Sequence, residues 1–220
     1  MSNRGTRLLA LSVIALVLVV AVVWQATRER RSDGPPPSSP AMERIDTLRR
    51  EGNVEGLARE TSAADVEVAR RAAASLGYLG AEAVPHLEQA LKDSRHEVRE
   101  AAAVALGRTA AADPVSLLGT AAREDPSANV RAAAVTALGK VRAVSEMDAL
   151  LAALEDEDRT VRNRASAAVT RILGRRYETY VDGSPKERHQ AVEALRQAFH
   201  SEMEPHVRDY YARWAREKEP

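Results

Sequence analysis

Val98–Gly107 reads VREAAAVALG, and three other segments repeat its pattern: VARRAAASLG from Val68, VRAAAVTALG from Val130 and VRNRASAAVT from Val161. Their starting valines stand 30, 32 and 31 residues apart. Within the quoted stretch Val98, Ala101, Ala102, Ala105 and Leu106 fall at i, i+3, i+4, i+7 and i+8, one face of an α-helix. The alanines matter physically, because a methyl side chain lets two helix axes approach closely. Self-similarity at a fixed period marks units that cannot bury their apolar faces alone and close a core only by stacking.

Working outward, Gly77, Gly107 and Gly139 each follow the last core leucine, where a helix C-cap is expected. A shorter amphipathic run follows each: Glu82–Leu91, Asp113–Ala122 and Val144–Leu154. Pro85 and Pro114 lie in the first turns of these runs, where a missing N–H is harmless. Each unit therefore reads helix, turn, helix, turn, with units near 41–64, 65–92, 93–124, 125–155 and 156–174. The first is degenerate, with Ile45, Leu48, Val54 and Leu57 in two short stripes broken at Gly52-Asn53, as expected of a terminal repeat. Residues 175–220 read as a helical cap. Ser184 is its N-cap, Pro185 the first helical residue and Glu187 completes a capping box, while Pro205 opens a last helix.

These segments resemble the HEAT-repeat superfamily, in particular the short HEAT-like units of the phycobilin (PBS) lyase type. The period is shorter than the roughly 40–47 residues of long HEAT and armadillo repeats, and the ankyrin and tetratricopeptide patterns are absent. The resemblance implies an all-α, right-handed α-solenoid of about four to five helix pairs. Asp93, Asp125 and Asp156 each stand six residues before Arg99, Arg131 and Arg162. An Asp at a helix start can cap free N–H groups and can meet the Arg of its own or the next unit. Stacking would line these residues up as a charge ladder, which HEAT-like families show. The first unit departs from it, with Ser62 and Ala69 in those places. The competing reading is an anion-binding stripe of arginines.

Composition narrows the function. Across 220 residues Lys+Arg and Asp+Glu are equal at 32 each. Residues 1–40 hold five arginines against Glu29 and Asp33, a net of +3, which leaves −3 for the rest. A slightly acidic bulk argues against nucleic acid as a partner. No cysteine is present, which removes disulfides, thiolate metal sites and cysteine nucleophiles. Aromatic residues are 4% and hydrophobic ones 45%, mostly small and aliphatic, which suits close-packed helices better than strands.

Residues 8–27, LLALSVIALVLVVAVVWQAT, form an uncharged run of 20 between Arg7 and Arg28. At 1.5 Å per residue such a run spans about 30 Å, the hydrocarbon core of a bilayer. It predicts an N-terminal transmembrane helix after a short tail, 1–7, and before a Pro/Ser-rich linker, 28–40. A cleaved signal peptide is the competing reading. The expectation is a single-pass membrane protein that touches the lipid bilayer through 8–27, with its repeats extracytoplasmic (periplasmic) and the cytoplasm as the alternative.

Chemistry is sparse. His96-Glu97 resembles one His-Glu pair of deoxyhypusine hydroxylase, a HEAT-type di-iron protein, but the matching positions Ala128-Asn129 and Arg159-Thr160 offer no metal ligand. His200, Glu202, Glu204 and His206 do not share one helical face, and Pro205 interrupts them. No Gly-rich phosphate loop or nucleophile elbow is visible. The sequence therefore predicts no catalytic residue, metal, cofactor or small-molecule substrate, and a scaffold or adaptor that binds unidentified proteins. The second helix of each unit is the usual ligand face of a solenoid. That nominates Glu82, His86, Gln89, Ser116, Thr120, Arg123, Glu146 and Asp148, with Tyr210, Tyr211 and Trp214 as a further aromatic patch. The alternatives are an enzyme or enzyme subunit of the HEAT-type lyase or hydroxylase kind, and a self-associating structural envelope protein.

Overall fold

The computed structural model describes residues 39–109, 114–174, 181–203, 206, 207 and 209. The chain divides into two compact units, Met1–Pro40 and Ala41–Pro220, and apart from Ser39 and Pro40 the described residues lie in the second. Every regular element among them is helical. Five pairs follow one another: α1 (Pro40–Arg50) with α2 (Val54–Glu60), α3 (Val66–Leu76) with α4 (Val84–Ala90), α5 (His96–Leu106) with α6 (Val115–Glu124), α7 (Ala128–Val141) with α8 (Met147–Ala153), and α9 (Arg159–Leu173) with α10 (Pro185–Ala198).

Local chemistry sets several of these ends. The Asn53 side chain accepts from Gly56 N to start α2, and Asp65 accepts from Glu67 N and Val68 N to start α3. Asp158 does the same for Thr160 N and Val161 N at α9. Ser184 and Glu187 form the reciprocal capping box of α10, with Pro185 in the first turn. The helix at 185–198, expected as part of a cap, packs beside α8 and buries Val192 and Leu195 as the second helix of a fifth pair.

Packing is strongest along the first helices. Helix α3 lies on α5, α5 on α7 and α7 on α9, and α2, α4 and α6 each pack mainly against the first helix of the following unit, while α8 packs equally against α6 and α9. The buried row is built of small residues: Ala72, Ala73 and Leu76, then Ala102, Ala105 and Leu106, then Ala134, Ala137 and Leu138, then Ala165, Ala168 and Val169. Gly77 and Gly107 are the C-caps of α3 and α5, as expected, Gly139 lies inside α7, and all three glycines also have a packing role. A Cβ at Gly77 would lie 2.7 Å from Ala105 Cα, one at Gly107 would lie 2.6 Å from Ala137 Cβ, and one at Gly139 would lie 2.6 Å from Ala168 Cβ. Gly77 and Gly107 keep ordinary right-handed φ values of −62° and −67°. These glycines let successive first helices touch backbone to methyl. The left-handed C-caps belong instead to Arg142 after α7 and Gly174 after α9, at φ 55° and 73°.

The membrane expectation is corrected. Among the described residues no helix is long and apolar enough to cross a membrane, and the segment 8–27 on which that expectation rested lies outside them. The first helices are amphipathic, with charged residues such as Glu67, Glu100 and Arg164 on their outer side, so none presents an apolar surface all round.

Candidate protein-binding surface

The turns that join one unit to the next carry a repeated arginine device. Arg99 donates from Nε and Nη2 to the two carboxylate oxygens of Asp125, at 2.8 and 2.9 Å, and from Nη1 to the carbonyl oxygens of Asp93 and Ser94. Arg131 repeats this, reaching Asp156 at 2.7 and 2.9 Å and the carbonyl of Asp125 at 2.9 Å. Arg162 donates to the carbonyls of Asp156 and Glu157 and to Val181 O at 2.8 Å, while the adjacent Asp182 carboxylate is held by Arg159. Thus Arg99 and Arg131 each meet the carboxylate of the next unit's Asp and only the backbone of their own. Each Asp also accepts from the N–H two residues on, namely Arg95, Ser127 and Asp158, so it shapes the turn before the helix rather than the helix start itself.

Burial makes these pairs unlike ordinary surface charges. The side chains of Arg131 and Asp156 are 9% and 10% exposed. The neighbouring carboxylates hold the Arg99 and Arg131 guanidiniums above their ordinary pKa, chiefly by hydrogen bonding. At the N-terminal end, where Ala69 stands in the Arg position, Arg95 bridges instead. It donates to Thr61 O and Ala63 O of the first unit while its Nε and Nη2 hold Asp93, whose carboxyl falls below the usual carboxylate range. Sequence reasoning missed Arg95, and the only signal available was the break in the ladder at Ser62 and Ala69.

The second-helix face is also cross-linked. His86 Nε2 lies 3.4 Å from Glu55 Oε1 of the preceding unit. Arg123 Nη1 donates to Glu146 Oε2 at 3.3 Å, and Gly119 makes room for that carboxylate, since a Cβ there would collide with it. Asp148 accepts from Arg196 Nη1 at 2.6 Å and lies 3.1 Å from His200 Nε2. Four of the nominated residues are therefore tied into bridges between units. Glu82, Gln89, Ser116 and Thr120 are exposed on the same face, and Thr120 Oγ1 donates to Ser116 O one turn back. Tyr210, Tyr211 and Trp214 lie outside the described residues.

Helices α4 and α6 touch little, in contrast to α6 and α8, and a groove of about 350 Å³ opens between them. Its apolar lining is Leu91, Leu117 and Ala121, all half-buried, with Thr120 beside them. Glu88, Lys92, Glu124 and the Arg99–Asp125 pair also line it. Of the nominated residues only Thr120 lines this groove; Leu91 and Leu117 were missed, because a half-buried leucine on an amphipathic helix reads as core. Among the described residues no group of three or more His, Cys, Asp or Glu side chains is placed to hold a metal ion. His96 is exposed and lies 3.4 Å from Glu97 of its own helix.

A family model for HEAT repeats matches residues 54–127 and 85–170, together more than half of the chain. The chain belongs to the HEAT-repeat family. Among solved structures, this HEAT-repeat chain is similar to one from the complex of CpcE and CpcF of phycocyanin lyase from Nostoc sp., at 22% identity over 71% of this chain and 94% of that one, with a TM-score of 0.46. It is likewise similar to a designed armadillo repeat protein in complex with a (KR)4 peptide, at 21% identity over 76% and 82% of the two chains, with a TM-score of 0.44. No curated protein sequence matches it.

Proposed function

We propose that this HEAT-repeat chain is a protein-binding scaffold with no catalysis of its own, and that its ligand surface is the second-helix face centred on the groove between α4 and α6. The groove carries the proposal. There two successive second helices part, and half-buried leucine side chains lie beside exposed polar groups. An apolar centre with a polar, partly charged rim is the usual anatomy of a protein interface. The inter-unit bridges support the same reading, because they hold the flanking helices in fixed register and so limit the ordering cost of binding. Gln89, Ser116 and Thr120 would then supply adaptable polar contacts around Leu91 and Leu117.

The test is photo-crosslinking in cells with a photoreactive amino acid at Leu117, compared with the same residue at Asn163 on the outer side of α9. A discrete protein adduct from position 117 that is absent from position 163 supports the proposal. Equal labelling at both positions, or none at 117 while the chain is folded, overturns it.

A further inference from the structure

We infer that the C-terminal ends of α3, α5, α7 and α9, at Tyr78, Arg108, Lys140 and Arg171, form a second docking edge for an extended acidic protein segment. The observation begins at Tyr78, which is 63% exposed and is the only large hydrophobic side chain so exposed among the described residues. Two arginines from neighbouring units lie against its ring: Arg49, with its guanidinium carbon 5.9 Å from the ring centroid, and Arg108, at 5.1 Å. Cation–π contact of this kind holds an aromatic ring in place while leaving its surface open.

Tyr78 follows Gly77, Arg108 follows Gly107 and Lys140 follows Gly139, and Arg171 takes the same register position in α9. Because Gly77, Gly107 and Gly139 each touch the next first helix, these four residues succeed one another along one edge of the stack. All four are exposed, and among the described residues no carboxylate pairs with Arg108, Lys140 or Arg171. Elsewhere the arginines are neutralised with some regularity, as in the Arg99–Asp125, Arg131–Asp156 and Arg159–Asp182 pairs. A cation at a helix C-terminus is favoured by the macrodipole. That accounts for Lys140 and Arg171 in the last turns of α7 and α9, but not for an exposed tyrosine in the same register or for the lack of facing carboxylates among the described residues.

The spacing selects the ligand. Packed helices stand about 8–10 Å apart, and in a polyproline II segment every third side chain returns to the same face after about 9 Å. A segment with a carboxylate at every third position therefore presents one charge to each unit, with Tyr78 offering apolar area at one end of the row. Residues 41–220 carry a net charge of −3, and one aromatic with a single file of cations lacks the stacking platforms of a nucleic-acid groove. This edge is separate from the groove between α4 and α6, so the two proposals fail independently.

The experiment is fluorescence anisotropy of the full-length chain with three probes of about fifteen residues: a peptide with Glu at every third position, a peptide of identical composition with its glutamates in one block, and an oligothymidylate. The spaced peptide should bind best and should weaken as NaCl rises from about 50 to about 300 mM. Arg108→Glu with Lys140→Glu should weaken it about tenfold, whereas Arg59→Ala, exposed on the second helix α2, should leave it unchanged. If the double charge reversal reduces helicity, Arg108→Gln with Lys140→Gln serves in its place, with a loss of about threefold. No measurable binding, equal affinity for the blocked peptide, tighter binding of the oligonucleotide, or indifference to both double variants would each overturn the inference.

Discussion

Arg131 and Asp156 give the sharpest test of how the units are joined. Their two parallel contacts, at 2.7 and 2.9 Å, link side chains only 9% and 10% exposed, so little of their attraction is lost to solvent. A buried hydrogen bond to a charged group contributes about 1.5–3 kcal/mol. Removing the arginine alone strands a desolvated carboxylate and should cost more, about 3–5 kcal/mol. Arg131→Met keeps the aliphatic stem, and Asp156→Asn keeps an oxygen to accept from Asp158 N, so the pair can be removed without collapsing the turn. A double-mutant cycle by chemical denaturation should return a coupling of about 2 kcal/mol. The same cycle on Arg159 and Asp182, whose side chains are 67% and 65% exposed, should return about 0.5 kcal/mol or less. A coupling at Arg131–Asp156 below about 0.3 kcal/mol would place it with solvated surface charges and refute the reasoning.

Gly107→Ala should cost about 2 kcal/mol, because its Cβ would press on the Ala137 backbone and methyl, and thermal unfolding should show it more harmful than Gly52→Ala, where the only charge is a left-handed φ of 67° in open space. Leu106→Asp, at a site 1% exposed, buries an unpaired carboxylate at a cost of several kcal/mol and should abolish the cooperative transition, read by circular dichroism. Stability should also fall with acid. Arg95 depresses Asp93, Arg71 depresses Asp46 and backbone N–H groups depress Asp158, so their contribution is complete above the unfolded carboxylate pKa of about 3.9 and is lost as pH drops through the lower folded values. Denaturation midpoints that stay flat or rise below about pH 4 would contradict this, and Asp93→Asn should flatten part of the slope.

Much of the architecture is legible in the sequence. The 30 to 32-residue period and the apolar stripes locate the first helices, and Ser184-Pro185 with Glu187 locates the start of α10, because these signals are local. What could not be read is what depends on partners about 25 to 30 residues away. A glycine after a core leucine reads as a C-cap, which Gly77 and Gly107 are, but the close helix crossing it permits shows only once Ala105, Ala137 and Ala168 on the neighbouring helices are in place. The six-residue Asp-to-Arg interval leaves open whether each Arg meets the Asp of its own unit or of the next. Its real cause is the Arg donating to its own Asp carbonyl while its charge is met by the next unit's carboxylate. On the second-helix face, Arg123, Glu146 and Asp148 read as available polar groups because opposite charges on successive units are invisible until the units are stacked.

That the first helices form one continuous buried row is tested most directly by amide hydrogen exchange on the full-length chain. The slowest amides should lie in α5 and α7, flanked on both sides by other first helices, and those of α4 and α6 beside the groove should exchange faster. Comparable protection in all ten helices, or faster exchange in α5 and α7 than in α4 and α6, would contradict the stack.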